Sequence, residues 1–310
     1  MRKPLVAALC ALAFAGAGAT PAVASAPSPT GAETTTGAGP ATLTDVVDSA
    51  VGTAADTLSG LTAPKESAVN FAGAVSLSNC SGSVVRMPGS ADDDPALVLT
   101  NGHCLESGFP AAGQVLVDRA SSRTFGLLNS AGSRVATLRA DRLVYATMTD
   151  TDAAIYRLST TYARIRSAYG IDALPLSATR PAAGTAISVV SGYWKRIYSC
   201  SIDGFAYRVK EGEWTWKDSV RYTSACDTIG GTSGSPVVDS ATGRVVAVNN
   251  TGNTDGERCT LDNPCEVDEN GGVTVRQGIN YAQQTYLFPA CFGVDNKLDL
   301  SASGCAVPKP

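Results

Sequence analysis

The chain carries 24 basic and 28 acidic side chains over 310 residues, a formal net charge of −4, and one histidine. That balance argues against nucleic acid or an anionic membrane surface as the main partner. A lone histidine and the lack of any C-x-x-C pair also argue against a zinc site.

Arg2 and Lys3 precede an apolar run from Leu5 to Ala15, and Ala22-Val23-Ala24 has the small-x-small form that signal peptidase reads. Residues 1–24 are therefore predicted to be a secretory signal peptide. The run is too short for a membrane span, which needs ~18 apolar residues or more. Cys10 lies inside it and lacks the leucine three positions earlier that a lipoprotein cysteine requires, so it is expected to leave with the signal. The mature chain then has 22 basic and 28 acidic residues, a net of −6. It is expected to be extracellular, monomeric and free of membrane contact.

Residues 25–68 are rich in Ala, Thr, Gly, Ser and Pro and can bury little, which reads as a pro-segment or linker. Within it Leu43, Val46, Val47, Ala50, Val51, Ala54, Leu58 and Leu61 follow helical spacing. They predict either a short amphipathic pro-helix or a marginal helix in a flexible tail.

From Val69 onward the chain changes to short β-branched runs separated by Gly, Asn and Asp: Ser83–Arg86, Ala96–Leu99, Gln114–Val117 and Ala186–Val190. Two hairpins are legible. One runs from Phe205 to Ala225 with its turn near Glu211-Gly212. The other joins Pro236–Val238 to Val245–Val248 through Thr242-Gly243. A helical segment is expected near Asn280–Leu287. Many short strands over ~220 residues predict an all-β sandwich or barrel arrangement.

Eight cysteines remain once Cys10 is set aside, an even number in an oxidising compartment, so disulfides are expected. Nearness in the chain favours Cys259–Cys265 and Cys291–Cys305. The acidic residues Asp255, Glu257, Asp262, Glu266, Asp268 and Glu269 surround the first pair and read as a solvated loop, with calcium as the alternative.

The chemistry concentrates in three segments. His103 sits in Leu99-Thr100-Asn101-Gly102-His103-Cys104. Ser233 lies 130 positions later in Gly230-Gly231-Thr232-Ser233-Gly234-Ser235-Pro236. An imidazole moves protons near neutral pH, and a serine between glycines can stand on a tightly turned backbone, so the pair suggests a serine hydrolase. Asp152 opens the apolar run Ala153–Leu158, where its carboxylate can accept from the imidazole and fix its tautomer. Asp150 is the alternative. The histidine precedes the serine, and Ser235 stands where G-x-S-x-G needs its second glycine, which excludes an α/β-hydrolase.

These three segments, in the order His, Asp, Ser, resemble the chymotrypsin/trypsin-type serine proteases. The likeness is to their bacterial secreted branch, including the glutamyl endopeptidase and trypsin-like group, and it spans roughly Val69 to Leu287. The resemblance implies two antiparallel β-barrels, about residues 69–174 and 175–287, with the active site in the cleft between them. Residues 288–310 would form a disulfide-closed tail. It implies a secreted endopeptidase with no cofactor and with polypeptide substrates. His103, Asp152 and Ser233 would be catalytic, and the backbone N–H groups of Gly231 and Ser233 would form the oxyanion hole. It also implies a Cys80–Cys104 disulfide beneath the histidine and a Cys200–Cys226 pair in the second barrel.

The chain departs from the family in several places. Thr232 stands where trypsin-like zymogens carry the aspartate that receives a new amino terminus, and no Arg or Lys followed by Ile-Val-Gly-Gly occurs near Val69. Asp227, six residues before Ser233, occupies the place of an acid that pairs with substrate Arg or Lys; its other reading is an ordinary loop residue. The substrate-binding wall is Asn249-Asn250-Thr251, followed by Gly252, with no tryptophan, and no pocket histidine is left to favour glutamate. Trp214 and Trp216 read as packing or cleft lining. A catalytically idle relative that binds peptides or a protein partner is the competing expectation.

Overall fold

The structure, a computed structural model, describes residues 68–310. The signal peptide, Cys10, the segment up to Ser67 and the Leu43–Leu61 helix lie outside the described residues. The first sheet is built from β1 (Ala74–Ser76), β2 (Ser81–Arg86), β3 (Pro95–Thr100), β4 (Val115–Ala120), β5 (Thr124–Leu128), β6 (Arg134–Thr147) and β7 (Ala153–Thr161). Six of these close a ring in the order β1-β5-β6-β7-β3-β2, completed by the β1–β2 pair, while β4 pairs with β6 outside it. After helix α1 (Tyr162–Tyr169), the short β8 (Leu174–Pro175) adds to β2 in parallel.

The second sheet contains β9 (Ala186–Ser191), β10 (Arg196–Glu211), β11 (Trp214–Tyr222), β12 (Pro236–Asp239), β13 (Val245–Gly252), β14 (Cys265–Val267), β15 (Val273–Val275) and β16 (Asn280–Gln284). A second ring of six, β11-β16-β13-β12-β9-β10, closes through β10–β11, and β14 and β15 extend it from β10. Closing a sheet on itself removes exposed edges and leaves strand-end loops to carry function. Both legible hairpins, β10–β11 and β12–β13, are members of this ring.

Continuous apolar runs in the sequence have a structural cause. Val84, Ala96, Val98, Ala154 and Tyr156 point into the first barrel. Their neighbours Val85, Leu97, Leu99, Ala153 and Ile155 point outward, into a second core shared with Val190, Val238, Val245 and Val248. Side chains alternate across a strand, so a strand buried on both faces must be apolar at every position. The C-terminal segment completes the shared core with Phe288, Cys291, Cys305 and Val307. Its Pro308 carbonyl accepts from the Tyr145 hydroxyl at 3.0 Å.

The four disulfides join Cys80–Cys104, Cys200–Cys226, Cys259–Cys265 and Cys291–Cys305. Among the described residues no helix is long and apolar enough to cross a membrane.

The helix expected near Asn280–Leu287 is corrected. Asn280–Gln284 is the fully buried strand β16, paired with β11 and β13. Ala and Gln favour helix weakly, but two waiting strand edges outweigh that preference. Both buried amide nitrogens find acceptors there: Gln283 donates to Ser219 Oγ at 3.2 Å and Gln284 to the Asp218 carbonyl at 2.6 Å. The helix that does form, α1, is capped by the Thr161 hydroxyl and by left-handed Gly170. Tyr162 and Ile165 are its buried residues, too few to give a periodic signal.

Candidate active site

His103 stands in the single turn Gly102–Cys104 that follows β3. Three features hold this turn. The Cys80–Cys104 disulfide ties its end to the start of β2. The Arg123 guanidinium, 3% exposed, donates to the Cys104 carbonyl at 2.6 Å, to Tyr156 Oη at 3.0 Å and to Asn79 Oδ1 at 2.7 Å. Asn79 in turn donates to the Cys104 carbonyl at 3.1 Å.

The third feature is Asp152, fully buried just before β7. Its Oδ1 accepts the His103 backbone N–H at 3.1 Å and its Oδ2 lies 2.7 Å from His103 Nδ1. Asn101 donates to the Asp152 carbonyl at 2.8 Å, fixing the acid from the other side. An ionised carboxylate only accepts, so the proton sits on Nδ1 and Nε2 is left as the free base. Burial pushes the imidazole pKa down. The charge and hydrogen bond of Asp152, helped by Glu211 and Asp262, outweigh it, so the pKa lies above its ordinary 6.5. The neighbouring acid Asp150 is turned away, paired with Lys217 at 2.7 Å.

Ser233 lies in the loop between β11 and β12. Gly234 after it has φ +81°, and a Cβ there would overlap the Ser81 carbonyl and the Thr100 hydroxyl, so glycine is required on both counts. Backbone bonds lash the loop to the first barrel: Ser81 N–H donates to the Ser233 carbonyl at 2.8 Å, and Ser81 Oγ to the Gly231 carbonyl at 3.1 Å. Ser235 donates to the Thr232 carbonyl through both its N–H, at 3.0 Å, and its Oγ, at 2.6 Å. Beneath the loop runs a buried chain: Tyr222 donates to Asn249 Oδ1 at 3.1 Å, and Asn249 Nδ2 to Thr232 Oγ1 at 3.2 Å. Thr232 thus has neutral partners inside the second barrel.

The backbone N–H groups of Gly231 and Ser233 meet no protein acceptor among the described residues. The Ser233 hydroxyl donates to the Asn250 carbonyl at 3.3 Å rather than to the imidazole. Hydrogen bonds of a resting site are often looser than those of its substrate complex.

His103 and Ser233 line one cleft of about 300 Å³. Phe109 and Trp214 form its aromatic wall, with ring centroids 5.7 Å apart for His103–Phe109 and 5.6 Å for Phe109–Trp214. Asp227, Asn249, Asn250 and Thr251 all line the same cleft, as does Trp216. Asp227 is exposed, so solvent screens its charge. Glu211 and Asp262 join it in the lining. Glu211 is 4% exposed; Oε1 accepts the Asp262 N–H at 2.9 Å and Oε2 has no partner. Burial pushes its carboxyl pKa up.

Three carboxylates of the acidic loop around Cys259–Cys265 meet protein donors. Asp255 accepts from Asn263, Glu257 from Thr260, and Glu266 from Arg221, Arg276 and Tyr281. Glu211, Arg123 and Phe109 were invisible in the sequence. Glu211 and Arg123 reach the site through the pairing of distant strands, while Phe109 follows His103 by six residues in a segment with no distinctive pattern.

The trypsin-like peptidase domain family matches residues 80–248. No curated protein matches the chain. Among solved structures, a protease from M. tuberculosis in its active form is 14% identical over 78% of this chain and 85% of that one, with a TM-score of 0.42. A thermostable serine protease from an extremophilic microorganism is 17% identical over 69% and 91%, with a TM-score of 0.41. A Nocardiopsis protease is 14% identical over 70% and 93%, with a TM-score of 0.38.

Proposed function

This chain belongs to the trypsin-like peptidase family, and we propose that it is a secreted serine endopeptidase working through His103, Asp152 and Ser233. Ser233 Oγ attacks the scissile carbonyl carbon while His103 Nε2 takes its proton. The imidazolium is held by Asp152, and the oxyanion by the N–H groups of Gly231 and Ser233. His103 then protonates the leaving amine, and water, deprotonated by the same imidazole, releases the acyl group. The observation that carries this reading is the doubly bonded, fully buried Asp152 behind His103, in one cleft with Ser233.

A preference for Arg or Lys on the acyl side of the cut is the finer proposal. Asp227, Glu211 and Asp262 line the cleft, and among the described residues no basic side chain but His103 does. A cationic substrate group finds opposite charge there. Four disulfides support an oxidising destination. We place residues 1–24 as signal peptide, 25–68 as pro-segment or linker, 69–287 as the peptidase domain and 288–310 as its tail, acting as a monomer.

The Ser233–Asn250 hydrogen bond favours one competing reading, an idle relative that binds peptides without cutting them. Matched chromogenic peptides ending in Arg, Glu, Phe or Ala separate the two on wild type, Ser233→Ala and Asp227→Ser. Cleavage lost in Ser233→Ala and fastest after Arg supports the proposal. Binding without turnover supports the idle relative. A profile unchanged in Asp227→Ser removes Asp227 from specificity and leaves the triad standing.

A further inference from the structure

We propose that Trp194 is a positioning residue that sets the direction of the Gly231 N–H by gripping the peptide bond before it. The proposal rests on reading Gly231 and Ser233 as the oxyanion donors. Residues Ile229 to Thr232 form a tight turn, closed by Thr232 N–H donating to the Ile229 carbonyl at 3.0 Å. Its third residue, Gly231, has φ +88°, the sign of a type II turn; a type I turn needs a negative φ there. The two types differ by a flip of the middle peptide, Gly230–Gly231. That flip reverses both the Gly230 carbonyl and the Gly231 N–H, which point in opposite directions across a trans peptide.

Nothing local selects between the two. Both middle residues are glycines, which occupy either sign of φ freely. A Cβ at Gly230 would meet nothing within 4 Å. The selecting contact comes from another loop. Trp194, in the turn between β9 and β10, donates its Nε1–H to the Gly230 carbonyl at 2.7 Å. With the carbonyl held on the indole side, the Gly231 N–H faces the other way and keeps no protein acceptor.

The turn bearing Trp194 is tied to the same framework. Trp194 N–H donates to Ser191 Oγ at 3.2 Å and Tyr193 N–H to Ser81 Oγ at 3.1 Å. Both rings close over Gly231, where a Cβ would lie 2.9 Å from Tyr193 Cδ1 and 3.1 Å from Trp194 Nε1. Trp194 is itself 49% exposed, so core packing does not explain it. The second donor peptide, Thr232–Ser233, is held differently: its carbonyl is bound within the loop by Ser235. Of the two donor peptides, the one between glycines is thus the one that borrows a side chain from elsewhere.

The test is Trp194→Phe, which keeps a ring over Gly231 and removes the donor, with Trp194→His as the variant that restores an N–H. A hydrogen bond of net worth about 0.5–1.5 kcal/mol corresponds to about a 2- to 10-fold change. Trp194→Phe should lower kcat by that factor and weaken a peptide aldehyde inhibitor, whose adduct carries an oxyanion, by the same factor. KM and the unfolding midpoint should stay put, and Trp194→His should recover part of the loss. The crystal structure of Trp194→Phe should show Gly231 with negative φ or in two conformers. A single type II turn in Trp194→Phe overturns the positioning role whatever the kinetics. A changed KM with unchanged kcat and aldehyde affinity makes Trp194 a substrate contact and also overturns it. Wild type that hydrolyses no peptide overturns the oxyanion reading instead, and the crystal structure still decides the grip.

Discussion

The two barrels close alike, as rings of six strands, yet they hold their halves of the cleft by different means. On the first, the His103 turn is fixed by a disulfide, a buried guanidinium and a buried carboxylate. On the second, the Cys200–Cys226 disulfide anchors only the start of the Ser233 loop, and the stretch around the serine is held by hydroxyls, the Asn249 amide and backbone groups, with an exposed indole at one end. The difference fits the work proposed for each. A base must keep one tautomer and one direction, which strong buried contacts secure. A loop that offers bare N–H groups to a substrate cannot fill those groups with its own partners, so it is steadied through its carbonyls.

The largest effect expected lies where the two sides must meet. His103→Ala and Ser233→Ala should each lower kcat by roughly 10⁴- to 10⁶-fold and, combined, little further, because the groups act as one unit. Stopped assays on folded protein check this. Ser235→Ala should fall far less, since the Ser235 N–H still holds the Thr232 carbonyl.

Asp152→Asn comes next, with a loss of about 10⁴-fold as the imidazole loses its fixed tautomer. It should also move the acid limb of kcat/KM. In wild type that limb lies above pH 6.5, because the His103 pKa is raised. Without the carboxylate, burial is opposed only by the weaker pull of Glu211 and Asp262, and the limb moves down. The linked stability has the opposite sense. A raised imidazole pKa stabilises the fold fully below pH 6.5, and that contribution fades as pH rises through the folded-state value. Denaturation midpoints across pH 5–9, wild type against Asp152→Asn, read this directly.

The contrast between the halves sharpens with stability measurements. Replacing Cys80 and Cys104 together by alanine should cost about 3 kcal/mol, from the freedom returned to the unfolded loop. Arg123→Met should cost about 2 kcal/mol, because Tyr156 Oη and Asn79 Oδ1 lose a buried donor. Trp194→Phe, on the other half, should leave stability unchanged. The smallest effect expected is in specificity. Glu211→Gln should lower the advantage of Arg over Phe substrates by about 5-fold, on the order of one partly screened charge pair, measured as a ratio of kcat/KM values.

What was legible in the chain is what local pattern encodes. His103, Asp152 and Ser233 each sit at a strand end inside a short distinctive segment, and short apolar, β-branched runs mark β3, β7, β9 and β12 without reference to the rest of the fold. Strand β16 was misread because its five buried positions gain their strand character from β11 and β13 on either side. The same dependence hid the grip of Arg123 on the histidine turn, 19 residues apart in the chain, and that of Trp194 on Gly230, 36 apart. Asp227 was placed in the cleft, but its exposure, and the company of Glu211 and Asp262, follow from how the loops lie once the ring is closed.

The most direct measurement is the site of covalent capture by a fluorophosphonate, mapped by peptide mass spectrometry on the protein with its disulfides intact. One adduct on Ser233, lost in His103→Ala and slowed as pH falls through the raised imidazole pKa, is the expected result. Peptide hydrolysis that proceeds with Ser233 unmodified, or an adduct that forms as fast in His103→Ala as in wild type, contradicts the account.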